Sequence, residues 1–184
     1  MKKIIFVGLI LLMGMVLMAC GSDVSQSGHS QNTVAERESN VQDNENATHK
    51  KEVKVAVSAP DGWEAVNSVG FLAHYSKDGA SFMVKQEPYS GKTLDEVVQK
   101  AREIFEDSFD NVEYAGEAES ITVDGKEAKK LIFTCEVSGL QMYYQHVFFF
   151  IGSDVYVITM GSSAENYELF TADFEQLLSG ISFE

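Results

Sequence analysis

The chain has 184 residues, 45% of them hydrophobic and 11% aromatic, which is enough for one buried core and too apolar for a wholly disordered protein. It carries 28 acidic against 14 basic side chains, a formal charge of −14, and such a field repels nucleic acid while attracting cations and basic proteins. Its two cysteines allow at most one disulfide, so cross-links cannot hold the fold.

Lys2 and Lys3 precede an apolar run from Ile4 to Val16, a length suited to a secretory h-region and too short for a membrane span. Leu17-Met18-Ala19-Cys20 follows, then Gly21. A small or apolar residue at each of three positions before a cysteine resembles the bacterial lipobox. That resemblance implies a diacylglyceryl thioether on Cys20, cleavage before it, and an extracytoplasmic protein held to a membrane by its acyl chains. The other readings are an ordinary cleaved signal peptide and an N-terminal anchor with an incidental cysteine. Several acyl chains hold a protein far more firmly than one. Loss of residues 1–19 removes two lysines and no acid, leaving a formal charge of −16. That charge predicts a body that stands off anionic headgroups.

From Gly21 to about Glu52 the chain is Ser, Gln, Asn, Glu, Thr and Lys with scattered Val and Ala, and it has no aromatic residue. It cannot bury a core and reads as a tether, with an end-to-end distance of roughly 30 Å as a flexible coil. Asn46-Ala47-Thr48 matches a glycosylation acceptor by chance. His29 and His49 have no partners at metal-ligand spacing and read as solvated linker.

Residues 53–184 are expected to form one domain. Val53, Val55 and Val57 alternate as a first strand, which Pro60-Asp61-Gly62-Trp63 ends in a turn. Strands follow near Gly70–Tyr75 and Ser81–Glu87, with Lys77-Asp78-Gly79 as hairpin turn. The three- and four-residue spacing of Leu94, Val97, Val98, Ala101, Ile104, Phe105 and Phe109 predicts a helix from Thr93 to Phe109, with Thr93 and Glu96 as a capping box. Strands near Val112–Val123 and Ala128–Val137 are joined at Asp124-Gly125. Leu131, Phe133, Cys135 and Val137 share one face, which makes Cys135 a small core residue.

Between Gln141 and Ile151, Met142, Tyr144, Phe148 and Phe150 lie on one face and Tyr143, Val147, Phe149 and Ile151 on the other. A strand apolar on both faces belongs in a sheet covered on both sides. Its partner, Val155–Gly161, sets Tyr156, Ile158 and Met160 against Val157 and Thr159. A last helix is predicted from about Ala164 to Leu178, with Ser162 and Glu165 as capping box, Phe170, Phe174, Leu177 and Leu178 as buried stripe, and Gly180 as C-cap. Ile181–Phe183 then adds a short strand. The fold class is therefore α/β (α+β): an α/β/α sandwich around a largely antiparallel sheet.

The strand ending in Pro60-Asp61-Gly62-Trp63, the early hairpin, the helix after Thr93, the long meander and the Phe170-x-x-x-Phe174 helix after Ser162-Ser163 resemble the PsbP-like fold. That family includes the photosystem II extrinsic PsbP protein, the Mog-type Ran-binding proteins and many small bacterial lipoproteins. The resemblance covers most of residues 53–184 and implies an accessory or binding role. It carries over no functional residue, because fold alone assigns none.

Catalytic chemistry has little to stand on. Ser81 lies in no Gly-x-Ser-x-Gly elbow, His146 falls on the Met142/Tyr144/Phe148 face as a satisfied core histidine, and His74 sits in a short strand at the surface or an edge. Zinc spacing, redox, phosphate-loop and dinucleotide signatures are absent from the sequence, and no cofactor is implied. The polar feature that remains is the run of Glu103, Glu106, Asp107, Asp110, Glu113, Glu117 and Glu119, uninterrupted by lysine or arginine. It reads first as a solubilising surface, and functionally as a face for a basic protein partner or loosely held divalent cations, with Glu103, Glu106, Asp107, Asp110 and Glu113 at its centre. The sequence thus predicts a non-enzymatic envelope lipoprotein that binds or assists a protein. The alternatives are a small-ligand or divalent-cation binding lipoprotein and, behind it, an enzyme with an unrecognised site.

Overall fold

The computed structural model of the chain describes residues 53–184. The lipobox at Cys20, the tether with His29 and His49, and Asn46-Ala47-Thr48 lie outside the described residues. Within them the elements run β1 (Val55–Val57), β2 (Glu64–Ala65), β3 (Ala73–Lys77), β4 (Ala80–Glu87), α1 (Leu94–Ser108), β5 (Asp110–Tyr114), β6 (Glu119–Val123), β7 (Lys126–Val137), β8 (Leu140–Ile151), β9 (Asp154–Ser163), α2 (Tyr167–Ser179) and β10 (Ile181–Phe183). Eight strands form one sheet in the order β2-β3-β4-β9-β8-β7-β5, with β6 pairing the same strand, β7, as β5. β1 and β10 form a separate ribbon, and the pairings in both are antiparallel.

The two-faced strand β8 organises the layers. Val147 and Phe149 pack with Tyr156, Ile158 and Met160 of β9 and with Phe170, Phe174 and Leu177 of α2. Phe148 and Met142 pack oppositely, with Leu131, Phe133 and Cys135 of β7 and with Val97, Val98, Ala101 and Phe105 of α1. Each face of the sheet therefore has its helix, as the alternation required. The α2 face has a second cover that the helix count did not suggest, for Val55, Val57 and Phe183 of the β1–β10 ribbon also pack there.

Hairpin chemistry fixes the register. Asp78-Gly79, Asp124-Gly125 and Ser138-Gly139 each have two successive positive φ values, the type I′ geometry that matches strand twist. The early hairpin turns where expected, but its first strand runs from Ala73 to Lys77 rather than from Gly70 to Tyr75. The expected strand from Val112 to Val123 is two strands, β5 and β6, which share one side of the longer β7. The chain passes between them at Gly116, whose φ of 136° side chains rarely adopt.

Helix α1 begins as predicted: Glu96 N–H donates to Thr93 Oγ1, and Glu96 Oε2 accepts from Thr93 N–H. Helix α2 does not. Ser162 is 1% exposed and belongs to β9, where it pairs with Tyr143, because β8 is long enough to hold β9 in register through Ser163. The helix starts only at Tyr167, behind Asn166, which makes no side-chain cap bond. Leu178 of the expected stripe is half-buried. Gly180 is the C-cap, with φ −91°; glycine is needed there for space, since a Cβ would lie 2.9 Å from the Ser58 carbonyl oxygen.

The Pro60-Asp61-Gly62-Trp63 turn is tied to α2. Trp63 Nε1 donates to Asp173 Oδ2 at 2.8 Å, and Lys77 Nζ reaches the same oxygen at 2.8 Å and the Asp61 carbonyl at 3.0 Å. The Trp63 ring packs against Phe170 and Phe174.

Candidate functional site

The acidic run is carried by the C-terminal half of α1 and the strand after it. Apolar residues of α1 at helical spacing face β7 and β8, so Glu103, Glu106 and Asp107 are forced outward and exposed. Asp110 and Glu113 follow on β5 and are also exposed. A register shift falls between them, with Asn111 at φ 53°. Asn111 Nδ2 donates to Glu136 Oε2 at 2.9 Å, which brings a further carboxylate beside Asp110 on the neighbouring strand.

Counter-charges divide the run. Glu103 pairs with Lys100 at 2.7 Å, Glu117 with Arg102 at 3.5 Å and Glu119 with Lys130 at 2.9 Å. Among the described residues no lysine or arginine forms such a pair with Glu106, Asp107, Asp110 or Glu113. Sequence spacing named Glu103, Glu106, Asp107, Asp110 and Glu113 as one face, yet it could not show that Lys100, Arg102 and Lys130 pair with Glu103, Glu117 and Glu119. Arg102 also lies over the Tyr114 ring at 4.3 Å and donates to the Gly116 carbonyl. Burial first, then the nearby Glu106 charge, pushes the Tyr114 hydroxyl up to about 12.

The last turn of α1 holds no basic residue, and Glu106 and Asp107 occupy it. Carboxylates there face the negative end of the helix dipole, an unfavourable placement of about 0.3–1 kcal/mol each when exposed.

The groups with catalytic potential are dispersed. Cys135 is fully buried in the α1-side core, and burial pushes its thiol up to about 11. His146 points to the same layer, against Phe105 at 4.8 Å and Phe133 at 5.4 Å between ring centroids. The residue as a whole is half-buried, and its Nδ1 is buried without a hydrogen-bond partner. The expectation of a satisfied core histidine is thus met in part: the ring packs against the α1-side core, but its Nδ1 is not satisfied. Burial first, and the Lys85 charge second, push its imidazole down to about 3. His74 is in β3 beside the short strand β2, and its Nδ1 lies 2.7 Å from Ser68 Oγ. Sequence reading passed over that pair because its members are six residues apart across a loop. Its neighbours are the Phe71 ring at 5.7 Å and Lys85 above that ring, and it braces the loop.

An open cleft of about 610 Å³ lies at the start of α1, lined by Lys92, Thr93, Leu94, Asp95, Lys126, Glu127, Lys129 and Phe150. A small anion would look for free cations there. Lys126 already pairs with Asp124 and Lys129 with Asp95, which leaves Lys92 as the one lining lysine without an ion pair among the described residues. Glu127 also lines the cleft, so the ligand reading gains little support from it. Among the described residues no group of three His, Cys, Asp or Glu is arranged to hold a metal ion, and no helix is long and apolar enough to cross a membrane.

No family model and no curated protein matches the chain. Solved structures do. LpqN, involved in cell envelope biogenesis of Mycobacterium tuberculosis, superposes with a TM-score of 0.59 at 10% identity, covering 74% of this chain and 87% of that one. CyanoP, the cyanobacterial PsbP of Synechocystis, gives 0.51 at 11% identity over 76% and 96%. A Pseudomonas aeruginosa protein of unknown function gives 0.50 at 15% identity over 71% and 81%. At such identities the likeness is one of fold, and it is the PsbP-like fold that the element order implied.

Proposed function

We propose that the chain is a lipoprotein of the cell envelope, held outside the cytoplasm by acyl chains on Cys20, and that it acts as a non-enzymatic accessory module. Its docking surface is the acidic face of Glu103, Glu106, Asp107, Asp110 and Glu113, and its partner is a basic protein. The observation that carries this reading is the pair Glu106 and Asp107 at the C-terminal end of α1, in no close ion pair with a described lysine or arginine and opposed by the helix dipole. A local arrangement that works against stability is expected where a surface is used. The lipobox supports the envelope setting, as does the shared fold with LpqN, whose role is in envelope biogenesis. The non-enzymatic part is supported by Cys135 and His146, since a thiol held up and an imidazole held down by burial make a poor nucleophile and a poor base.

Isolation of the full chain from membranes tests both halves. Wild type is expected in the membrane fraction with a co-purifying basic protein, which is lost in Glu106→Lys/Asp107→Lys/Asp110→Lys and at raised salt, where exposed charges are screened. Cys20→Ser is expected in the soluble fraction. The same set of captured proteins with the triple variant would rule out the acidic face, and an unchanged distribution of Cys20→Ser would rule out the anchor.

A further inference from the structure

Between β2 and β3 the chain runs Ala65-Val66-Asn67-Ser68-Val69-Gly70-Phe71-Leu72, a stretch without a single charge in a domain dense with them. Val69 is 101% exposed at its tip, and Val66 and Leu72 are exposed beside it. This is no loose segment. Val66 N–H donates to the His74 carbonyl, Leu72 N–H to the Val84 carbonyl and Phe71 N–H to the Ser68 carbonyl, while Ser68 Oγ meets His74 Nδ1. Gly70, at φ 88°, closes the turn. Apolar side chains held outward on a braced, convex tip suit insertion between lipid headgroups better than a concave protein contact.

The strand register places this loop at a particular end of the molecule. Leu72 bonds alongside Val84, near the end of the sheet where β4 meets Val155 at Glu87 and where β8 turns into β9. The Asp124-Gly125 turn is at that end, and Asp124 Oδ2 accepts from Phe183 N–H, next to Glu184 and its backbone partner Lys54. The described chain therefore begins, at Val53, at the end that carries the loop. Lys54, Lys85, Lys92, Lys126 and Lys129 belong to this end, with Lys85 over the Phe71 ring and Lys92, Lys126 and Lys129 around the cleft. Pairs with Glu87, Asp124 and Asp95, together with Glu127 at the cleft, Asp154 at the β8–β9 turn and Glu184 beside Lys54, offset these lysines, so this end mixes charges of both signs and carries no net positive charge. The unpaired acids Glu106, Asp107, Asp110 and Glu113 sit at the other end, where Asp110 pairs with Glu136 near the Ser138-Gly139 hairpin. At the loop's end acids and lysines are paired or interleaved, whereas these four acids form no ion pair among the described residues.

We infer that the Val66–Leu72 loop is a membrane-contact wedge, which seats the anchored domain on the bilayer with its lysine-bearing end down and its acidic face turned away. This rests on the lipid anchor proposed above, which would keep the loop at high effective concentration near the surface.

The test uses the full lipidated chain in phosphatidylglycerol/phosphatidylethanolamine vesicles, with an environment-sensitive fluorophore on Val69→Cys or, as control, on Ser138→Cys. Cys20 would be blocked by lipid and Cys135 by burial. Emission from position 69 is expected to shift to the blue and to be quenched by nitroxide-labelled lipid, with position 138 unchanged. If the chain stays on the vesicles and position 69 is not quenched, the wedge is overturned while the anchor stands. Shielding of position 69 from aqueous iodide without quenching from the lipid would mean a protein contact, and would also overturn it. If Cys20 takes no lipid, the anchor reading fails and the unlipidated chain decides: flotation with the same vesicles that Val69→Asp abolishes supports the wedge, and no flotation overturns it.

Discussion

At the scale of single residues, His146 shows where reading a sequence stops. Alternation along β8 gave its face correctly, because side-chain direction in a strand depends only on parity. Whether its ring nitrogens find partners depends on residues such as Phe105 and Phe133, distant in sequence, and those are hydrocarbon. The neutral imidazole has a direct consequence for acid stability. Its folded pKa, about 3, lies below the ordinary 6.5, so between these values the unfolded chain binds a proton that the native protein refuses. Stability present above pH 6.5 is therefore lost as pH falls, at no more than about 1.4 kcal/mol per pH unit. His146→Leu should keep the packing, remove the orphaned Nδ1 and flatten this dependence relative to wild type, as urea melts at pH 7 and pH 5 would show. An identical pH slope in the variant would mean that the ring titrates freely. Asp173 gives a change of the same sign by another route. Lys77 and Trp63 hold its carboxyl below the usual range, so its contribution is present at neutral pH and fades as pH falls through that lowered value. Asp173→Ala should cost about 1–2 kcal/mol at pH 7, allowing for partial exposure, and less at low pH.

Elements were legible in proportion to how local their signals are. The Thr93–Glu96 capping box and the Asp78-Gly79 and Asp124-Gly125 turns lie within four residues, and each is found where it was read. Ser162 and Glu165 had the same local pattern and failed, because β8 extends β9 through Ser163 and strand pairing overrides the cap. The break between β5 and β6 was hidden for a similar reason, since it is the sharing of β7 that divides them. Helix α1 offers a test at this scale. If Glu106 and Asp107 oppose its dipole, Glu106→Gln and Asp107→Asn should each raise stability by about 0.3–1 kcal/mol at low ionic strength, with the gain disappearing near 1 M salt. The same variants should hold the basic partner less well. Thermal melts at two salt concentrations check the first part; destabilisation by either variant would show that these carboxylates make contacts which the dipole argument leaves out.

For the molecule as a whole, the informative pair is Phe148 and Phe149, neighbours in sequence whose side chains end in different cores. Both are 0% exposed. Phe148 lies near Tyr89 and Phe133-side residues of the α1 layer, and Phe149 near Tyr156 and Phe183 of the α2 layer. A sheet covered on one side only would make one of the two substitutions severe and leave the other within roughly 0.5 kcal/mol, as at an ordinary surface site. The two-layered architecture instead requires Phe148→Ala and Phe149→Ala each to cost about 3–5 kcal/mol, a large part of a domain's ~5–15 kcal/mol. The milder Phe→Leu changes, at about 1 kcal/mol each, then allow a double variant to be measured. Residues on opposite faces share no side-chain packing partner, so the double change should equal the sum of the singles within about 0.5 kcal/mol. A coupling well beyond that, read from denaturant melts of the four proteins, would mean that the two cores yield together and that the sheet between them is not the rigid divider from which the acidic face and the apolar loop are held apart.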